Sequence, residues 1–293
     1  MILVTGATGL NGSELVRRLA AKGIPSRALV RNLAKAQPLA ALPGVEVVEG
    51  DMARPESLVE ALRGVERAML ISSSDPTMLE TQSSFIDAAR NAGVKHVVKL
   101  SGIIPELDSP FRFARMHAEI EQRLEDSGMA YTHLRAGEFM PSYFRQVPSI
   151  VGRGILALPM GDARIASVDI GDLAEVAIAV LTTTGHEGKT YPLTGPESLT
   201  MAEVAEKLSV ATGKAIRYVD VPPDEANKAR LAAGMPPYLA DGLDELFAER
   251  RRGKESRVWP TIEEVFGRRP TSFDEFARQN AGIFRGEQPS PRT

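Results

Sequence analysis

The stretch MILVTGATGLNG, residues 1–12, constrains the fold of this chain more than any other. A short apolar run, ILVT, passes directly into three glycines, Gly6, Gly9 and Gly12, at a strict spacing of three, and then into an amphipathic segment. In a strand–turn–helix each glycine answers a separate demand. Gly6 permits the tight turn, Gly9 lets the backbone approach a pyrophosphate, and Gly12 lets the helix pack against the strand. The helix then presents free N–H groups and the positive end of its dipole to a phosphate. Three glycines in a turn say little alone; the strand before and the helix after give them weight. A glycine-rich turn that holds no ligand is the alternative.

The segments that follow keep the alternation. Apolar, β-rich runs at 2–5, 26–31, 45–51, 67–73, 94–101 and 130–135 are separated by helical patterns at 13–23, 55–64, 77–92 and 113–128. Strand, helix, strand with short connections implies parallel pairing through right-handed crossovers. Continuous apolar runs suit strands covered on both faces. The expected fold class is α/β, a doubly wound parallel sheet of the Rossmann kind, over residues 1–135. After 136 the rhythm loosens and Gly and Pro become frequent, with helices expected at 170–183, 201–212, 224–233 and 238–251. Residues 136–293 are therefore expected to form a smaller, irregular C-terminal portion, partly interleaved with the core, that covers the ligand edge of the sheet. The tail GEQPSPRT is expected to fray.

Composition removes several function classes. The chain of 293 residues has no cysteine, which excludes disulfides, thiolate metal sites and a cysteine nucleophile. Four scattered histidines give no metal cluster, and a net charge of −3 gives no global attraction to nucleic acid or anionic lipid. No signal peptide or membrane span is expected, so the expected setting is cytoplasmic. Monomer and homodimer both remain open.

The strand ends define what the glycine turn would hold. An acid after the second strand would bind the ribose hydroxyls of NAD, whereas a cation there suits the 2′-phosphate of NADP. This sequence reads ALVRN, with Arg31 at that place and no acid until Glu46. NADPH/NADP is the expected cofactor; a solvated surface arginine is the alternative. Asp51 and Met52 would flank the adenine, and Ser72, Ser73 and Ser74 would line the path beyond the fourth strand. Thr8, Leu10 and Asn11 within the turn, with Ala136, Gly137 and Phe139 after the sixth strand, complete the candidate cofactor contacts.

With these residues assembled, the pattern TGATGxxG, VRN, EGDM and LRAGEFM resembles the NmrA-like branch of atypical short-chain dehydrogenases. The resemblance extends through SVDIGDLAEVAIAVL, the segment 190–213 and GRRPTSFDEFARQN. That branch includes NADPH-dependent quinone, azo-dye and triphenylmethane reductases, with isoflavone-type reductases as more distant cousins. It implies fold and cofactor and says little about the substrate. Some of its members bind NADP without catalysis and act as redox sensors in transcription.

Short-chain dehydrogenases usually place Tyr-x-x-x-Lys on one helical face; this chain has no such pair, and the corresponding helix reads HAEIE. His117 could donate a proton and Glu121, one turn on, could orient it. An i,i+4 surface pair is the alternative. Ser101 and Lys99, at the end of the fifth strand, are secondary candidates for hydrogen bonds to substrate or nicotinamide ribose, with a structural role the equal alternative for Lys99. His96 and His133 lie in expected strands and suit structural roles. AGEFMPSYF offers Phe139, Met140, Tyr143 and Phe144, and GMPPYL offers Met235 and Tyr238, as an apolar site for a flat ring. Ordinary packing against the sheet is the alternative. The run RRRGKESR suits a solvated helix end, with a protein or nucleic-acid patch as the minor reading.

The expected function is hydride transfer from NADPH to a small aromatic acceptor, first a quinone or polycyclic quinone. Two alternatives stand beside it: a flavin- and metal-free monooxygenase acting on a reduced aromatic quinone, and a non-catalytic NADP sensor with a regulatory partner.

Overall fold

The structure is a computed structural model that describes residues 1–289. Its strands are β1 (Ile2–Val4), β2 (Ser26–Val30), β3 (Val45–Glu49), β4 (Arg67–Leu70), β5 (His96–Gly102), β6 (Ala130–Ala136), β7 (Ile155–Leu158), β8 (Arg164–Ile165), β9 (Lys189–Leu193), β10 (Leu199–Thr200) and β11 (Arg217–Asp220). The chain divides into two compact units. The first comprises residues 1–109, 113–135 and 170–192, and the second 110–112, 136–169 and 193–293.

The first unit carries the main sheet, in the order β3-β2-β1-β4-β5-β6-β9. β1 runs parallel between β2 and β4, with Leu3 opposite Arg27 and Ala68. The chain builds outward from β1 through β2 to β3, then returns to place β4 on the other side of β1. This reversal is the topological switch point, where open α/β sheets bind ligands at the carboxyl ends of their strands. Leu3 and Val4 have no exposed surface, and each such burial contributes roughly 1.5–3 kcal/mol.

The helix Leu10–Ala21 buries Gly12, Leu15, Val16, Leu19 and Ala20 along one stripe. It ends where Gly23, at φ +68°, donates to the Ala20 carbonyl. It starts three residues before the expected 13, because Gly12 fits inside the first turn instead of breaking it. The expected helix over 55–64 is a 3₁₀ turn, Pro55–Ser57, followed by the short helix Leu58–Ala61.

Within the portion after residue 136, Ile170–Pro192 belongs to the first unit. Its helix, Ile170–Thr182, buries Gly171, Ala174 and Ala177, whose small side chains allow close approach. It lies along the helix Leu10–Ala21, where Glu175 bridges Arg18 and Lys22, both at 3.1 Å. β9 follows as the seventh strand of the sheet and was not anticipated from the sequence, because KTYPL carries a proline and ordinary polar residues.

The second unit has two small sheets, β7 parallel to β11 and β8 antiparallel to β10. Its core gathers Met140, Tyr143, Phe144, Met201, Leu208, Phe273, Phe276 and Phe284. Capping boxes start the helices Met201–Thr212, through Thr200 and Glu203, and Phe273–Gln279, through Ser272 and Glu275. Of the tail expected to fray, residues 290–293 lie outside the described residues. The rest is tied back, with Gly286 donating to Ile283 at 3.0 Å and Glu287 to Gly282 at 2.9 Å.

Candidate active site

The glycine turn sits at the switch point of the first unit. The Thr5 hydroxyl donates to the Ile71 carbonyl at 2.7 Å and accepts from the Ile71 N–H at 2.8 Å, joining the ends of β1 and β4. Gly6 turns with φ +58°, and a Cβ there would lie 2.9 Å from the Ile71 oxygen. Gly9 donates to the Gly6 carbonyl at 2.9 Å and caps the following helix with no side chain of its own. A Cβ on Gly12 would lie 2.3 Å from the Gly6 oxygen. The first helical turn is thus drawn against the β1 turn, with its N-terminal N–H groups left uncapped by any side chain. The Asn11 Oδ1 is buried without a partner. Thr8 and Gly9 are exposed and Leu10 partly so. A cradle that a side chain would fill, with uncapped N–H donors at the helix start, fits a dinucleotide pyrophosphate.

Arg31 follows β2, is exposed, and has no hydrogen-bond or ion-pair partner among the described residues. Asn32 caps the next turn by accepting from the Ala34 N–H at 2.9 Å. A guanidinium with no partner among the described residues fits a 2′-phosphate. The loop after β3 is self-supporting: Asp51 accepts from the Ala53 N–H and donates its own N–H to Ser57 Oγ. Asp51 and Met52 remain partly exposed. Beyond β4, Ser72 accepts from Gln82 Nε2 at 2.7 Å, while Ser73 and Ser74 are exposed.

The end of β5 meets the helix Arg112–Glu125 in a network of ionisable groups. Lys99 has no exposed surface, and its Nζ lies 2.8 Å from His117 Nδ1 and 3.4 Å from Ser101 Oγ. Burial pushes the Lys99 ammonium down to about 7; Glu121 pulls the other way and Arg135 adds to the fall. Burial and the facing Lys99 hold His117 well below the usual imidazole range, so the ring is neutral at pH 7. His117 is only partly enclosed. Its Nε2 has no partner among the described residues and keeps accessible surface. Gly102 leaves room for this edge: a Cβ there would lie 3.2 Å from His117 Cδ2.

Glu121 does not orient His117, as the helical spacing suggests, nor is it a surface pair. It is buried, and Arg135 of β6 takes the carboxylate in a fork, with Nη2 at 2.5 Å and Nε at 3.2 Å from both oxygens. Burial alone would raise the Glu121 carboxyl, but the bond from Arg135, the field of His133 and a bond from Ser101 hold it below its ordinary value. Lys99 has no exposed surface, and Ser101, 3% exposed, bonds within the network. Nothing in the local sequence marks Arg135 for this role. His96 and His133 have structural partners in Thr132 (2.8 Å) and Glu125 (3.1 Å).

In the second unit the aromatic residues after β6 are core. Met140, Tyr143 and Phe144 are at most 5% exposed, and Tyr143 packs edge-on against Phe273 with ring centroids 5.3 Å apart. They do not line an open acceptor site. Ala136 and Gly137 are buried, and Gly137 donates to the Leu193 carbonyl. Phe139, Met235 and Tyr238 keep partial exposure; Arg112 lies over the Tyr238 ring, 4.6 Å from its centroid. The arginine run is paired throughout: Arg250 is buried between Glu138 and Glu255, Arg251 bonds Asp220, and Arg252 bonds Glu249. It is no free basic patch. Among the described residues no cluster of acids and histidines could hold a metal ion, and no helix is long and apolar enough to cross a membrane.

Comparison with known proteins agrees with this geometry. Residues 1–277 match the NmrA-like family. The chain is 39% identical to an NAD(P)H azoreductase of Xenophilus azovorans, covering 97% of this chain and 99% of that one. It superposes with a TM-score of 0.86 on the NADPH-dependent quinone oxidoreductase of Escherichia coli complexed with NADPH, at 34% identity, covering 95% and 99% of the two chains. The triphenylmethane reductase of Citrobacter sp., complexed with NADP(H), gives 0.83 at 30% identity, covering 96% and 100%.

Proposed function

This chain belongs to the NmrA-like family, and on that premise we propose that it is an NADPH-dependent reductase of small aromatic acceptors, with quinones first and azo compounds second. The coarser statement, an NAD(P)H-dependent oxidoreductase of the azo- and quinone-reductase kind, is supported by full-length relatives at 39% and 35% identity. Gly6, Gly9 and Gly12 form the pyrophosphate cradle and Arg31 meets the 2′-phosphate, the cation at this place selecting NADPH over NADH. Bound there, the reduced nicotinamide supplies a hydride.

The observation that carries the proposal is His117. Its Nδ1 is held by Lys99, which leaves Nε2 as the ring's open edge at the carboxyl end of β5, in the same unit as the cradle. A neutral imidazole with Nδ1 accepting carries its proton on Nε2, where it can be given to a reduced acceptor. A quinone that takes up hydride becomes a hydroquinone anion stabilised by aromatisation and needs little acid help. An azo group leaves a more basic nitrogen anion and needs more. The Tyr-Lys pair required for ordinary carbonyls is therefore dispensable for these acceptors.

The test is anaerobic turnover of purified protein with NADPH against menadione and methyl red, repeated in air with ¹⁸O₂. We expect stoichiometric NADPH oxidation without oxygen, and His117→Ala to slow methyl red about 10²-fold and menadione less. No NADPH oxidation above background with either acceptor refutes the reductase and favours an NADP sensor. Product carrying ¹⁸O would transfer the assignment to the monooxygenase reading.

A further inference from the structure

Lys99 is a lysine with no exposed surface whose nearest polar atom is a histidine ring nitrogen. Such a lysine is costly to keep, because burial opposes its charge and no carboxylate bonds it directly. The groups that face it come from three elements. Ser101 lies on its own strand, His117 and Glu121 on the helix Arg112–Glu125, and Arg135 and His133 on β6. Glu121 is the only acid among them, and Arg135 takes its carboxylate at 2.5 Å. The ammonium therefore lacks a counter-ion of its own; it also reaches the Leu100 carbonyl at 3.2 Å and Ser101 Oγ at 3.4 Å, but its shortest contact, 2.8 Å, and its one basic acceptor is His117 Nδ1.

We propose that Lys99 is the proton reserve of the site, holding His117 in the Nε2–H tautomer and refilling the ring through Nδ1 as Nε2 gives its proton away. This rests on the reading of His117 as the donor to the reduced acceptor. Hydride from the reduced nicotinamide dinucleotide leaves the acceptor as an anion. The Nε2–H bond breaks and its proton joins that anion. In the same passage a proton leaves Lys99 Nζ for His117 Nδ1, so the imidazole stays neutral in its other tautomer and Lys99 becomes a neutral amine. One positive and one negative charge disappear together, and no imidazolium or imidazolate is stranded in a half-buried place. The site resets when water protonates Nε2 and the Nδ1 proton returns to Nζ. Lys99 acts through His117 and is a positioning residue; His117 alone faces the acceptor.

The proposal is tested first on unmodified protein without cofactor, by ¹⁵N NMR of Lys99 Nζ and the His117 ring. Both signals should move together near pH 7, with His117 neutral and Nδ1 accepting below that point. A Lys99 that stays charged to pH 10, or a His117 that titrates alone near 6.5, overturns the proposal. Lys99→Arg then separates supply from support, since a guanidinium keeps a cation and a donor but cannot release a proton. We expect its kcat with methyl red to fall tenfold or more, the fall in kcat of the parent above pH 7 to vanish, and KM for NADPH to hold. Lys99→Met should raise the His117 pKa, read by the same NMR signal. If His117→Ala slows turnover while Lys99→Arg keeps the parent rate and pH profile, the reserve is refuted and the donor stands. If His117→Ala leaves turnover unchanged, the donor itself is refuted and the reserve falls with it.

Discussion

Substituting Gly12 by alanine tests the link between backbone packing and cofactor affinity. The new Cβ would lie 2.3 Å from the Gly6 oxygen, 2.8 Å from the Gly6 carbonyl carbon and 2.9 Å from Ala7 Cα. All three are backbone atoms, so no rotamer relieves the contact. Ordinary contact begins at 3.4 Å, and 3.4 minus 2.3 leaves about 1 Å by which the helix Leu10–Ala21 must retreat from the turn. That helix carries Leu15, Val16 and Leu19, each at most 1% exposed, so its retreat loosens a packed interface. Overpacking of this kind costs roughly 1–3 kcal/mol, and alanine returns up to ~1 kcal/mol of helix propensity. A net loss of up to about 2 kcal/mol lowers Tm by up to roughly 8 °C at ~2–4 °C per kcal/mol. The uncapped N–H groups move with the helix, so NADPH affinity should fall at least about tenfold. Thermal melts and titration of NADPH fluorescence measure the two effects. Gly23→Ala is the control, because its φ of +68° strains an alanine but nothing lies within 4 Å of the Cβ. It should lower Tm and leave NADPH affinity alone. A Gly12→Ala protein with the parent's Tm and NADPH affinity, or a Gly23→Ala protein that loses NADPH equally, refutes the reasoning.

Arg31→Ala should weaken NADPH by roughly tenfold or more and leave NADH nearly unchanged, as read by paired Kd measurements; equal losses would remove the 2′-phosphate assignment. Tyr143→Ala should cost about 3–5 kcal/mol in chemical denaturation without raising the KM for menadione in the folded fraction, because Tyr143 is core; a raised KM at unchanged stability would return it to the acceptor site. Lys99 titrates at about 7 in the fold against about 10.4 in an unfolded chain, so the unfolded state binds more protons between these values and stability should rise as pH increases from 7 to 10. Lys99→Met should lack that rise, which urea melts at pH 7 and pH 9 would show.

How far the sequence carries depends on whether a demand is local. Gly6, Gly9 and Gly12 were legible because each meets atoms within a few residues or at the adjoining strand end, and Arg31 because its place follows from where β2 stops. Strands β1 to β6 were legible from continuous apolar runs. Strands β7, β8, β10 and β11 were not, since each is two to four residues long and its partner lies at least 34 residues away. Phe144 and Tyr143 illustrate a different failure. Aromatic residues after the last strand of a Rossmann core have the composition of either a ring-binding site or a packed interior, and only contact with Phe273, Phe276 and Phe284 distinguishes them.

His117 was legible as a candidate through the missing Tyr-x-x-x-Lys. Its partner was not. One helical turn places Glu121 near His117, but Arg135 lies on the adjacent strand and takes the carboxylate, which leaves the imidazole to Lys99. The sequence by itself determined what can be held, because glycines in a strand–turn–helix act through short-range sterics and the backbone dipole. The tertiary structure alone decided how protons are arranged, because burial and the pairing of charges distant along the chain set which ionisable groups keep their charge.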